Sequence, residues 1–464
     1  MAMASPAQVT GQESVPRSRG MPIAPCVTTR VIKKLADTGR LDKFSARHAY
    51  DGYRAEALDE AAGMVTPEAT SSSVTDNLTI NIVLGLTALE DLDTSKADIG
   101  GAYAKVNREK EAGTRGYTQQ VREAAPGSGI RRESRRYMKT PKTLPIVDED
   151  GQRMCVELGG SWLWGEKPSG RMLQDSVHET LVRDGWQPAE EVPCMYVKER
   201  PDGRIGVLLT IVDDFFVAET KGADHQFGRE VRALLDAKYG DIKYEEEPTA
   251  FAGRAIRRDR SRGVLNVSMP SQITNAAVEH LPEGARDKSA KELDLLTGTA
   301  LQKALDALEG QKTEAGGAYA KADQRVVQSI TGSLKYIEQV MPQISLAAHR
   351  LACVASAPPP EAVRAAKSVL HAALRQRDIG ITYGGHLEGG ARMIQGMGIK
   401  ARFELAKGAP PQFEGVADAT WSKPLLYAVM LTFNGGSVLH TTKKIHSEVD
   451  SSSAAEAIAT AKLA

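Results

Sequence analysis

Cysteine is scarce. The 464 residues contain four, Cys26, Cys155, Cys194 and Cys353, far apart and with no CxxC pair or Cys/His cluster at zinc-ligand spacing. A disulfide scaffold and a structural zinc site are therefore not expected. Net charge is missing as well: Lys plus Arg number 59, and so do Asp plus Glu. No chain-wide basic excess announces a nucleic-acid partner, so any such partner must be read from local charge. Long apolar runs are absent too. The longest, Ile80 to Leu89, covers about half of a membrane span, and the opening MAMASPAQVT lacks a signal-peptide core. These absences lead us to expect a soluble, intracellular protein. What the chain does have is apolar content: 41% hydrophobic residues over this length can bury more than one core, about three domains at roughly 150 residues each.

Residues 1–28 are rich in Pro, Ser, Gly and Gln without apolar periodicity, a composition that predicts a disordered arm. TRVIKKLADTGRLDKFSARHAYDGY, from Thr29, predicts a hairpin with its turn at 37–39 and basic residues on both arms. TPEATSSSVTD reads as a polar loop ending in helix-cap residues, and LTINIVLGLTALEDL after it has helical spacing. GRIGVLLTIVDDFFVA predicts two apolar strands meeting at Asp213-Asp214, and AGRAIRRDRSRGVLNVSM predicts a hairpin with a basic turn. Residues 290–378 read as helical, interrupted at APPPE, where the prolines end one helix and start the next. Strand-like text resumes at Gly380 and gives way to an Ala-rich helix at 454–463. GGAYAK occurs twice, at 100–105 and 316–321. The different surroundings of the two copies argue against an internal repeat.

Between residues 105 and 142, eleven Lys and Arg stand against four Glu. Such a segment is either a solvated loop or a phosphate-contacting surface. The acids are more telling. Asp98 opens the strand-like DIGGAY, and Asp213-Asp214 marks a hairpin tip where Leu208 to Phe216 offers no Lys or Arg neighbour in sequence. An Asp-Asp pair at a tip serves ordinary turn chemistry, but unpaired carboxylates among apolar strands are costly unless a cation neutralises them. Two or three converging carboxylates are what a pair of Mg²⁺ ions requires for in-line phosphoryl transfer. The pattern points to a nucleotidyl-transferase palm.

At this point the sequence resembles the reverse transcriptase of copia-type LTR retrotransposon polyproteins, in order from about Thr29 to the C-terminus. DIGGAY looks like the family's first catalytic segment, and IVDD looks like its YVDD box with Ile211 in place of the Tyr. SARHAYDGY, VPCMYVKERPDGRIGVLLTIVDD, FAGRAIRRDRSRGVLNVSM, GSLKYI and AAKSVLHAALRQRDIGITYGG resemble family segments in the fingers, palm and helical region. The resemblance implies an α+β right-hand polymerase followed by a truncated ribonuclease H-like α/β domain. Its parts would be the arm at 1–28, fingers and palm at 29–280, a helical thumb or connection at 281–378 and a partial ribonuclease H domain at 379–464.

The roles follow residue by residue. Asp98, Asp213 and Asp214 would be the catalytic carboxylates, holding Mg²⁺ or Mn²⁺ together with the Ile99 carbonyl. Tyr103 would block a ribose 2′-hydroxyl, or is a core tyrosine. WGEKPSGR keeps Gly165, Lys167 and Arg171 of a segment that supports nucleotide and template, but departs at Pro168 and Gly170. Lys243 would protonate pyrophosphate, or is a solvated lysine, and Arg47 would contact the incoming triphosphate. FEGVADATWSK places Asp418, and SSSAAEAIA places Glu456, at the first two ribonuclease H metal acids. Ser453 and Glu456 also form a capping-box pattern. The sequence ends at Ala464, before the family's third ribonuclease H Asp, so hybrid cleavage is not expected. Asp98 to Gly165 is about twenty residues longer than the family pattern, with the excess in the basic segment. The partners implied are an RNA template, a primer–template duplex and dNTPs, without a membrane; the compartment implied is the cytoplasm, element-encoded particles included, or the nucleus. The alternative is a remnant that keeps the fold and binds nucleic acid without turnover.

Overall fold

The computed structural model describes residues 72–106, 169–190, 192–222, 224–310, 321–384, 413–419, 426–433 and 435–444, part of 455–461, and the backbone of several strands elsewhere. Helix and sheet are mixed along the chain, as an α+β architecture requires. The chain divides into two compact units, each built from separated stretches of sequence.

The first unit is organised by a six-stranded sheet. Its strand order is Ile242–Glu246, Asp93–Ile99, Asp214–Glu219, Ile205–Ile211, Met195–Glu199 and Gln187–Pro188. Helices Ser169–Arg183 and Gln226–Tyr239 supply apolar stripes at helical spacing, Leu173, Val177 and Leu181 from one and Phe227, Val231 and Leu235 from the other. They share a core with Ile99, Leu208, Phe215 and Val217, the burial that makes such a sheet stable. In the same unit the expected hairpin forms from Cys26–Lys34 and Leu41–Tyr50, with Thr29 opposite Arg47. Its first strand begins three residues before the expected one. Ser14–Val15 and Ile23–Ala24 are strands as well, within the stretch expected to be a disordered arm, and pair with residues 155–156 and 137–138.

The second unit joins a helical cluster to two antiparallel sheets. Helices Pro270–His280, Gly298–Gly310, Lys321–Ile337, Ser345–Val354 and Glu361–Arg375 bury one continuous core. Pro360 stands at the last helix's N-cap, as APPPE predicts. The basic hairpin is Arg254–Asp259 with Val264–Ser268, and Ile381–Gly384 adds to its edge, across the boundary expected at residue 378. Phe413–Ala419, Leu426–Phe433 and Gly436–Lys444 form the last sheet. Helix Asn77–Leu89, capped by the Asp76 carboxylate on the Thr79 N–H at 2.7 Å, is buried on most of its surface. Gly85 permits this close approach, because a Cβ there would stand 2.6 Å from the Phe433 ring. Asp91, Asp93 and Glu247 bind Arg258 and Arg260, so the basic turn read from sequence is largely neutralised within the unit.

His440 gives this unit a pH dependence. Its Nε2–H donates to the Glu338 carbonyl and its Nδ1 accepts from the Ser437 hydroxyl at 3.1 Å, a neutral imidazole with both nitrogens used. Burial pushes its pKa down to about 4. The unfolded chain therefore binds one more proton than the folded chain between about pH 6.5 and 4, so stability rises with pH through that window and is fully present above it. Equilibrium unfolding should lose on the order of 3 kcal/mol between pH 7 and pH 4 from this residue. In His440→Gln that acid-side slope should flatten by about one proton, and an unchanged slope would assign the acid sensitivity elsewhere.

Candidate active site

The site is assembled by sheet order. Asp98 ends the strand Asp93–Ile99, which corrects the expectation that DIGGAY opens a strand: Gly100 and Gly101 leave the sheet, Gly101 in the left-handed region at φ 67°, and Ala102–Lys105 forms one helical turn. That strand lies beside Asp214–Glu219, and the Ile99 N–H donates to the Asp213 carbonyl at 3.1 Å. Residues 114 positions apart in sequence are thereby neighbours.

The hairpin tip is shifted by one residue from expectation. Ile211 pairs with Asp214, so the two-residue turn is Val212-Asp213 and Asp214 already belongs to the second strand. Val212 has φ 58°. A β-branched residue in the left-handed region costs roughly 1–2 kcal/mol, offset here because Val212 packs against the core. Beneath it the segment from Ser73 is strapped to the sheet. Thr75 donates to the Thr210 carbonyl at 2.9 Å, the Ser73 N–H donates to Gln174 at 2.9 Å, and Gln174 in turn donates to the Cys194 thiol at 3.2 Å. Burial pushes that thiol's pKa up, so Cys194 is a packing residue and not a thiolate. Val212→Gly should leave stability within about 1 kcal/mol, strain relief offsetting lost packing. A thermal melt checks this, and a loss of several kcal/mol would show that the packing of Val212 outweighs the strain of its turn.

Leu208 to Phe216 offer Asp213 and Asp214 no cation in sequence, but the fold brings two lysines to the acids. Lys243 stands opposite Asp98 across the adjacent strand, its Nζ 3.1 Å from the Asp98 carboxylate. Lys96 lies two residues before Asp98, hence on the same face, with its Nζ 3.3 Å from Asp214. Sequence reasoning missed Lys96. Strand alternation from Asp98 was the signal available, but its partner lies on another strand.

Tyr103 packs at the edge of the core and lies near Asp213; burial first, and then the Asp213 charge, raise its phenol pKa. Arg171 is turned along its own helix, its Nε 2.9 Å and 3.0 Å from the two Asp175 oxygens. Arg47 is described in its backbone only, and Gly165, Lys167, Ser453, the second GGAYAK up to residue 320 and most of the basic segment lie outside the described residues. Asp418 is exposed and accepts the Ala419 N–H at 2.9 Å. Its neighbours Ala417 and Ala419 pack against the cluster that Tyr427 and Val429 form with Ala455 and Ala459 of the last helix. Glu456 is exposed on that helix.

The donor set at Asp98 suits a hard divalent ion in kind: carboxylate oxygens from adjacent strands and a backbone carbonyl at Ile99. Among the described residues no three acid, Cys or His side chains already converge on one point. Binding a divalent ion would require Asp98 to exchange Lys243, whose side chain is 73% exposed and free to move aside.

No family model matches the chain, and no curated protein does. Among solved structures it is similar to a foamy viral protease-reverse transcriptase in complex with double-stranded DNA, at 12% identity and TM-score 0.42 over 97% of this chain and 56% of that one. It is also similar to telomerase from Candida albicans (10% identity, TM-score 0.33, over 71% of this chain and 61% of that one) and from Candida tropicalis (10%, 0.33, over 78% and 63%), each with a fragment of telomeric RNA. The chain spans 56% to 63% of the lengths of these proteins. Among the described residues no helix is long and apolar enough to cross a membrane.

Proposed function

We propose that this chain is an RNA-directed DNA polymerase of the reverse-transcriptase type, from a copia-type element, that extends a primer 3′-hydroxyl with dNTPs. The observation that carries this is the juxtaposition of Asp98 with the Asp213-Asp214 hairpin through the Ile99–Asp213 hydrogen bond, joined to the ordered motifs in which those acids occur. Asp98 and Asp213, with the Ile99 carbonyl, would hold Mg²⁺, or Mn²⁺ in its place. When bound, the ion supplies charge neutralisation at the phosphoryl oxygens and activation of the primer hydroxyl. The remaining work falls to the chain. Tyr103 would close the space beside the sugar 2′ position, and Lys243, once off Asp98, would offer a proton to the leaving pyrophosphate. Primer extension on an RNA template tests the assignment, and a folded chain that binds the duplex without extending it would favour the inactive remnant.

Tyr103 gives the sharpest specificity test. If its ring excludes a 2′-hydroxyl by steric conflict, Tyr103→Val should raise ribonucleotide relative to deoxyribonucleotide incorporation on the order of tenfold or more, with folding intact. Truncating a purely core aromatic would instead cost about 3 kcal/mol or more and depress both rates together. The two rates measured beside a thermal melt separate these outcomes.

A further inference from the structure

The two lysines at the acids are not equivalent. Lys243 lies on the sheet's outermost strand with a 73% exposed side chain, whereas Lys96 lies on an interior strand with a 25% exposed side chain. Register places Glu245 opposite Lys96 on one side, and Asp214 approaches it from the strand on the other. Lys96 is thus flanked by acids on both neighbouring strands. Its ammonium is a fixed positive charge where an all-carboxylate site would need a metal ion to supply one. Asp214, 32% exposed in its side chain, is correspondingly committed to a protein cation.

We propose that Lys96 is a positioning residue that holds Asp214 as its counter-ion and so limits the divalent demand of the site to the Asp98–Asp213 side. The inference rests on the polymerase assignment, because it concerns which of that site's acids remain open to metal. An ammonium within one strand repeat of Asp98 also repels an incoming dication, weakened but not abolished by the partial exposure of the pair. Removing Lys96 should therefore do two things at once: free a third carboxylate and lift a repulsion.

The test is equilibrium binding of Mn²⁺ alone to the full chain, with free ion measured by electron paramagnetic resonance and no nucleotide present. Lys96→Met should tighten Mn²⁺ at least tenfold or add a second bound ion, Lys96→Arg should match the wild type, and the gain should vanish when Asp214→Asn is added to Lys96→Met. Asp214→Asn alone should not tighten Mn²⁺ binding, because it leaves the Lys96 ammonium uncompensated beside Asp98. Unchanged binding in Lys96→Met, or a gain that persists in full when Asp214→Asn is added to it, overturns the proposal; should Lys96→Met not fold, Lys96→Gln is measured in its place with the same two outcomes. Asp98→Asn separates the two levels of inference. If that substitution abolishes Mn²⁺ binding while Lys96→Met changes nothing, the Lys96 role alone is lost. If Mn²⁺ binding ignores Asp98, the polymerase assignment falls and the Lys96 role falls with it.

Discussion

Asp213→Asn is expected to lower primer extension by about a thousandfold, the equivalent of roughly 4 kcal/mol of transition-state stabilisation, while leaving primer–template affinity within about threefold. The substitution is nearly isosteric and keeps the backbone carbonyl that accepts the Ile99 N–H, so the turn and the sheet order survive. What it deletes is one negative charge at the tip of the hairpin. Nucleic-acid affinity depends on Lys and Arg contacts to phosphate, none of which is touched. Single-turnover extension paired with a binding titration checks both halves. Extension near the wild-type rate would show that Asp213 is only a turn residue, and an equal collapse of binding would show that the variant fails to fold.

The largest expected effect on stability lies at the other end of the same strand. Glu219 is fully buried, and its carboxylate accepts the N–H of Gly228 at 2.9 Å and that of Phe227 at 3.4 Å, both in the first turn of helix Gln226–Tyr239. His225, at that helix's N-cap, provides no side-chain cap. The glutamate therefore performs the capping from a neighbouring strand, with the helix dipole favouring its charge. Glu219→Leu leaves both donors buried without it, at about 1–3 kcal/mol for each group so stranded. A loss of about 3 kcal/mol or more is expected in urea unfolding of the unit. Glu219→Gln, which keeps one acceptor oxygen, should recover part of that loss. Equal stabilities for all three proteins would mean that water caps the helix instead.

Much of this architecture is legible in local sequence. Asp76 before an apolar helical run, alternating strands around Asp213-Asp214, and prolines ahead of Glu361 each act through rules confined to a few residues, and each produces the expected element. What sequence misses depends on tertiary placement. Val212 carries no Asn-Gly or Asp-Gly signal for a two-residue turn, and only its packing against the core stabilises the left-handed backbone there. Lys96 and Lys243 become partners of Asp214 and Asp98 only when three strands are ordered side by side. Arg254 reads as part of a basic turn, yet it is 2% exposed and bonded to Asn77 and Gln339. Its pKa is pushed down by burial.

Asp98 and the Asp213-Asp214 hairpin are proposed to form a polymerase site. The most direct measurement is extension of a labelled DNA primer on an RNA template by the full chain, with dNTPs and Mg²⁺ or Mn²⁺, beside Asp98→Asn. Template-directed addition of successive nucleotides is expected, abolished in Asp98→Asn without a lower melting temperature. A folded wild-type chain that binds the primer–template and adds no nucleotide with either ion, or extension that persists in Asp98→Asn, would contradict it.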